Sequence, residues 1–84
     1  MYQVVIERRA EKEMDRLAQQ VRRRVVEAVF GLASDPRPPG CRKLVGSDDV
    51  WRIRVGDYRV IYQIADAVRV VRVYRVRHRR EVYR

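Results

Sequence analysis

The fold is decided by the stretch Val50-Trp51-Arg52-Ile53-Arg54-Val55-Gly56-Asp57-Tyr58-Arg59-Val60-Ile61-Tyr62-Gln63-Ile64. It predicts two β-strands joined by a tight turn at Gly56-Asp57. Side chains alternate between the two faces of a strand, so Trp51, Ile53 and Val55 share one face while Arg52 and Arg54 share the other. We therefore expect a sheet with one apolar face and one face bearing guanidinium groups, to which an anion such as RNA phosphate would bind.

Three strands are predicted in succession, over 50–55, 58–65 and 68–76, and a short edge strand is expected within 41–45. Strands joined by short turns must be antiparallel, because parallel neighbours need a long crossover. Tyr62 is expected in the core, as is Trp51, for which stacking on a nucleic-acid base is the alternative. The last strand has no clean apolar face, so its place at the centre or the edge of the sheet stays open.

The N-terminal half predicts one strand, over 2–6, followed by two helices. Ala10, Met14, Leu17 and Val21 recur at helical spacing, and a second helical pattern covers 21–33. The second helix should end before Pro36, because proline disfavours helical geometry in the preceding residue. The predicted fold class is α+β in the order β-α-α-β-β-β, with the N-terminal strand and helical hairpin packed on a mainly antiparallel sheet.

The chain has 84 residues, enough for a single domain over 1–84, and a net charge of +9. The charge is uneven: residues 1–41 have a net charge of +2, whereas residues 42–84 have +7. Such asymmetry is typical of a nucleic-acid-binding protein. A surface for an acidic protein partner, or merely a solvated arginine-rich surface, would give the same composition.

Several classes of protein are disfavoured by the composition. A single cysteine, Cys41, cannot form an internal disulfide, and with the single histidine, His78, it cannot build a usual zinc site. We expect no metal and no cofactor. No apolar run approaches the ~20 residues that span a bilayer. Glu7, Arg8 and Arg9 interrupt the N-terminal apolar stretch, so we expect no secretory signal, no membrane partner and a cytoplasmic protein.

The C-terminal segment contains the candidates for acid–base chemistry. Cleaving RNA without a metal requires a base for the 2′-hydroxyl, cations for the charge on phosphorus and an acid for the departing oxygen. Tyr83 follows Arg79 and Arg80, and guanidinium neighbours favour a phenolate. His78 is a second candidate base, although a lone histidine at a strand end is more often structural or solvated.

At these residues the sequence resembles the RelE/ParE toxin superfamily of type II toxin–antitoxin systems, over nearly the whole chain. The resemblance rests on the order and spacing of several segments: Ala10…Met14…Leu17, Asp35-Pro36-Arg37-Pro38, Lys43-Leu44-Val45-Gly46, Trp51-Arg52-Ile53-Arg54, Gly56-Asp57-Tyr58-Arg59-Val60-Ile61-Tyr62 and His78-Arg79-Arg80-Glu81-Val82-Tyr83. It implies the RelE-like microbial RNase fold. It also implies a toxin that enters the A site of the 70S ribosome and cleaves mRNA, inhibiting translation.

The resemblance also implies roles for individual residues. Arg59 matches the arginine thought to stabilise the transition-state phosphate, Arg79 matches a second essential arginine discussed as phosphate stabiliser or acid, and Tyr83 matches the general base. The expected catalytic set is Arg54, Arg59, Arg79, Tyr83 and, as a rival base, His78. The expected RNA-binding set is Arg42, Lys43 and Arg52.

The sequence departs from relatives at two places. Arg52 and Arg54 stand where well-known relatives have lysines, and because arginine cannot donate its proton at working pH, only charge stabilisation is expected of them. The sequence ends one residue after Tyr83, whereas many relatives continue into a helix, which keeps His78 in consideration as a base.

Two other functions stay open: a ParE-like toxin that inhibits DNA gyrase without nuclease activity, and a degenerate member that serves as an antitoxin-bound repressor component. The resemblance further implies a toxin–antitoxin hetero-oligomer. An acidic, partly disordered antitoxin could wrap a basic surface and fold as it binds.

Overall fold

The computed structural model describes residues 1–82 and confirms the predicted α+β class, the order of the predicted helices and strands, and the mainly antiparallel sheet, and it adds a short C-terminal helix that was not predicted. The strands are β1 (Gln3–Ile6), β2 (Arg42–Lys43), β3 (Val50–Val55), β4 (Tyr58–Ala65) and β5 (Val70–His78). The helices are α1 (Arg8–Asp15), α2 (Gln19–Gly31) and a four-residue α3 (Arg79–Val82). The sheet has the order β1-β5-β4-β3-β2, in which β1 and β5 are parallel and the other pairs antiparallel.

The core lies between one face of the sheet and helices α1 and α2. Among the described residues, its buried side chains are Ala10, Met14, Val25, Val29, Leu32, Ile53, Val60, Tyr62, Ile64, Val71, Val73 and Val76. The predicted apolar face of the sheet and the predicted core position of Tyr62 are therefore confirmed. Tyr62 can be fully buried because its hydroxyl donates to the carbonyl oxygen of Pro36 at 2.8 Å. Trp51 packs against this core and is half-buried.

Helix α1 ends at Asp15, earlier than the helical spacing up to Val21 predicts. Ala18 has extended backbone geometry (φ −58°, ψ 148°) and separates α1 from α2, which begins at Gln19. Leu17 and Val21 still pack against the core. The helical spacing of apolar residues therefore continues across the break between α1 and α2. No glycine or proline lies at this break, so the sequence pattern could not locate it.

Strand β5 lies between β1 and β4, which settles the position that the sequence left open. Its register against β4 shifts by one residue: Val73 pairs with Tyr62, but Arg75 pairs with Ile61. This β-bulge explains the missing apolar face, because a bulge breaks the two-residue alternation of a strand. Val73 and Val76, three positions apart, are both buried as a result.

The Glu13 carboxylate of α1 binds the bulged strand. It accepts hydrogen bonds from the Val76 backbone N–H at 2.9 Å and from Arg75 Nη2 at 2.8 Å. Burial alone would raise the pKa of Glu13, but the hydrogen bonds from Arg75 and Val76, with the nearby charge of Arg77, lower it below its usual value. Helix α1 is thereby fixed to β5 by a partly buried ion pair.

Candidate nucleic-acid interface

Arginines face one another across the side of the sheet that is turned away from the helices. Arg54 of β3 lies directly opposite Arg59 of β4, and Arg59 in turn lies opposite Arg77 of β5. Arg42 of β2 likewise lies opposite Arg52 of β3. Like charges at directly opposed positions destabilise a sheet. A row of such pairs concentrates positive charge on this side of the sheet, and a polyanion would be attracted to it.

Two adjoining cavities open on this face, and we call them together the arginine cleft. One has a volume of about 320 Å³ and is lined by Gly40, Arg42, Arg52, Ile53, Arg54 and Arg59. The other has a volume of about 290 Å³ and is lined by Arg54, Arg59, Arg79 and Arg80. The described lining residues include no acidic side chain. The cleft thus gathers guanidinium groups from β2, β3, β4 and α3.

The tight turn between β3 and β4 organises this cleft. Gly56 has φ +59° whereas Asp57 does not have a positive φ, as in a type II′ turn with glycine at its first central position. The Arg54 side chain donates from Nε to the Gly56 carbonyl oxygen at 3.0 Å. The Arg79 backbone N–H donates to the Asp57 carbonyl oxygen at 2.8 Å. One turn therefore sets the pairing of Arg54 with Arg59 and places the start of α3 beside them.

The structure brings together three of the five catalytic candidates, Arg54, Arg59 and Arg79, and two of the three RNA-binding candidates, Arg42 and Arg52. Lys43 is exposed and pairs with Trp51, which puts it at a register position of the opposite face. Tyr83 lies outside the described residues.

His78 is placed differently. It pairs with Tyr58 on the helix-covered side of the sheet, and the two rings are perpendicular at 5.2 Å between centroids. A separate cavity of about 190 Å³ is lined by Glu13, Arg16, Leu17, Tyr58, Val76 and His78. His78 does not line the arginine cleft.

Arg80 is a cleft residue that the expected catalytic and RNA-binding sets did not include. It lines the cavity with Arg54, Arg59 and Arg79. Its adjacency to Arg79 was the available signal, but only a helical turn after β5 places both side chains on one cavity. The composition of this short C-terminal segment was not sufficient to predict that helical turn.

Tyr62 is unsuited to act as a base. Burial is the main cause that raises its pKa well above the ordinary value of a phenol, and the neighbouring Cys41 adds to the effect. Among residues 1–82, no group of three or more His, Cys, Asp or Glu side chains is arranged to hold a metal ion. In the same part of the chain, no helix is both long and apolar enough to cross a membrane.

Comparison with known proteins decides the family. Residues 4–83 match the family model described as the ParE toxin of the type II toxin–antitoxin system. The chain belongs to this toxin family. As a RelE/ParE superfamily member, it is also similar to solved RelE structures.

The RelE–RelB complex of Pyrococcus horikoshii is 31% identical, with a TM-score of 0.83 over 93% of this toxin and 94% of that chain. The isolated RelE toxin of E. coli is 32% identical, with a TM-score of 0.81 over 99% and 92% of the two chains. The RelBE2 toxin–antitoxin complex of Mycobacterium tuberculosis is 28% identical, with a TM-score of 0.80 over 92% and 96%. These likenesses confirm the RelE-like fold of the toxin.

Proposed function

We propose that this toxin is a metal-independent endoribonuclease that cleaves mRNA in the ribosomal A site. The observation that supports this function best is the arginine cleft, in which Arg54, Arg59 and Arg79 line one cavity. A phosphodiester bound there would have its charge stabilised by fixed guanidinium groups. Arginine suits this task because its planar fork of donors matches phosphate oxygens.

The proposed reaction is an internal transfer within the RNA. Tyr83, as the phenolate, takes the proton of the 2′-hydroxyl and becomes a phenol, and the 2′-oxygen attacks the adjacent phosphorus. The bond from phosphorus to the 5′-oxygen breaks, the 5′-oxygen takes up a proton from water, and a cyclic phosphate and a free 5′-hydroxyl result. Arg59 and Arg79 stabilise the additional negative charge on phosphorus, and Arg54 supports them from the neighbouring strand.

Binding to the ribosome is assigned to the cations around the cleft. Arg42 and Arg52 extend the cleft along β2 and β3, and Lys43 adds an exposed charge at the same edge strand. These groups bind ribosomal RNA in the proposal, which requires the protein to act in the cytoplasm. The long-range attraction of a net charge of +9 would also speed the encounter with the ribosome.

An antitoxin is the second proposed partner. The similar proteins of P. horikoshii and M. tuberculosis were solved as toxin–antitoxin complexes. By charge complementarity, an antitoxin for this toxin should be acidic, and a partly disordered segment could fold along the basic surface in a hetero-oligomer.

Inhibition of DNA gyrase is the competing function, because the matching family model carries the ParE name. The experiment adds purified protein to a translating extract, maps mRNA 5′ ends, and measures gyrase-linked DNA breaks in parallel. Ribosome-dependent cuts within codons support the proposal, and they should disappear with Arg59→Ala or Tyr83→Phe in folded protein. DNA breaks with intact mRNA would overturn it in favour of gyrase.

A further inference from the structure

We propose that His78 is a positioning residue, whose Nδ1 caps helix α3 and so holds Arg79 and Arg80 at the arginine cleft. The Arg80 backbone N–H donates to His78 Nδ1 at 3.2 Å. The first N–H groups of a helix lack intrahelical acceptors, and a side chain just before the helix can accept from the second of them. His78 directly precedes α3 and fills this place with its ring.

The other early amide of α3 also has an acceptor. The Arg79 backbone N–H donates to the Asp57 carbonyl oxygen of the β3–β4 turn. Helix α3 has four residues in the described part of the chain, and so short a helix does not persist by its own propensity. These two hydrogen bonds, one to the turn and one to the ring of His78, therefore help to fix its geometry.

The imidazole is itself fixed in place. It lies perpendicular to the ring of Tyr58, directly opposite it in the β4–β5 pair. Its surroundings are on the side of α1, where Glu13, Arg16 and Leu17 line the same small cavity. The ring therefore contacts the start of α3 from the helix-covered side of the sheet. A phosphate bound between Arg54 and Arg59 would lie on the opposite side of the sheet.

The cap requires a neutral imidazole. Nδ1 can accept a hydrogen bond only when the ring proton is on Nε2, and a protonated ring has donors alone. Among the described residues, the charged and titratable groups near the ring are Glu13 on α1, Arg16 directly after α1 and Tyr58 on β4, and Arg79 and Arg80 follow His78 in the chain. Glu13 is already bound to Arg75. Protonation would therefore remove the cap and put a cation at a helix N-terminus.

The test compares His78→Asn, whose amide oxygen can serve as a cap, with His78→Ala, which has no acceptor. NMR measures the hydrogen exchange of the Arg80 amide, and a titration measures the affinity for a short RNA oligonucleotide. We expect His78→Ala to speed the exchange roughly fivefold and to weaken RNA binding roughly three- to tenfold, in keeping with the usual strength of a cap. His78→Asn should stay within about twofold of wild type in both measurements.

Acidification provides a second readout. The Arg80 amide of the wild type should lose protection relative to that of His78→Asn. An RNA affinity that instead rises in the wild type, relative to His78→Asn, would make the ring a phosphate ligand and overturn the proposal.

A catalytic role for His78 gives the opposite pattern. Both variants would then bind RNA as the wild type does and yet lose about 100-fold or more in cleavage, which also overturns the proposal. The inference takes its functional consequence from the proposed RNA cleavage, but the amide measurement needs no ribosome. A protected Arg80 amide in a protein that cuts no mRNA would support the cap and contradict only the proposed activity.

Discussion

Arg54 and Arg59 lie directly opposite each other on β3 and β4, at the end of the sheet closed by the Gly56-Asp57 turn. Directly opposed like charges destabilise a sheet. In the proposed function, a phosphate bound between the two side chains would offset part of this repulsion. Anion binding and the stability of the sheet would then be coupled.

Replacing Arg59 by glutamine should abolish most of the mRNA cleavage while the protein stays folded. The change removes a cation at the centre of the cleft, and loss of one fixed charge stabiliser typically lowers a rate by about 100-fold or more. Cleavage rates in a translating extract measure the effect, with circular dichroism as a check on folding. Arg9→Gln is the matched control, because Arg9 is exposed on α1 and its replacement removes the same positive charge from the protein. Equal losses in both variants would show that net charge, and not the cleft, determines activity.

The salt dependence of RNA binding should show how many arginines contact phosphate groups. For single-stranded RNA, the slope of log affinity against log salt concentration changes by about 0.7 for each neutralised phosphate. Arg79→Gln and Arg80→Gln should each reduce the slope by about that amount, because both side chains line the cleft. Fluorescence titrations at several salt concentrations measure it. An unchanged slope for either variant would remove that residue from the binding surface.

The sequence was sufficient to predict the arginine face, because strict alternation in β3 and β4 assigns Arg52, Arg54 and Arg59 to one side and Ile53 and Val60 to the other. Alternation is a local property of a strand, and a two-residue turn leaves only one register. The convergence of Arg54 with Arg59 followed from these two facts alone.

The remaining features depend on non-local contacts. The bulge in β5 lets both Val73 and Val76 pack in the core. The carboxylate that accepts from the Val76 amide there belongs to Glu13, which is distant in sequence. Arg80 reaches the cleft only because the Asp57 carbonyl oxygen and His78 hold α3. The register shift in β5 and the position of α3 are fixed by contacts between segments distant in sequence. The residue pattern within one segment does not contain that information.

Replacing Gly56 by alanine should lower the free energy of unfolding by about 1–2 kcal/mol, because φ +59° is strained for a residue with a Cβ atom. Space is not the obstacle, since an added Cβ would lie 3.7 Å from the Arg24 Nη1 atom, an ordinary contact. Gly56→Asn should cost less, because asparagine is among the residues that dominate the positive-φ positions of primed turns and alanine is not. Urea unfolding of the three proteins measures the difference. If asparagine were as destabilising as alanine, the backbone explanation would fail.

Replacing Glu13 by glutamine should lower the free energy of unfolding by about 1–2 kcal/mol at neutral pH, because charged hydrogen bonds to Arg75 and to the Val76 amide are lost or weakened. The difference depends on pH in a defined direction. The pKa of Glu13 is lower in the folded protein than its usual value of 4.5, so its ionised form stabilises the fold above that pH. This contribution is lost as the pH falls through the lowered pKa.

Urea unfolding of the wild type and Glu13→Gln should therefore show a gap at pH 7 that narrows steadily below about pH 4.5. Glu11→Gln is the matched control, because Glu11 is exposed on the same helix and should change stability by less than about 0.5 kcal/mol. A gap of constant size between pH 7 and pH 3 would show that Glu13 acts through its shape and not its charge. The bulge of β5 would then be held by packing alone, and the ion pair with Arg75 would contribute nothing to the position of α1.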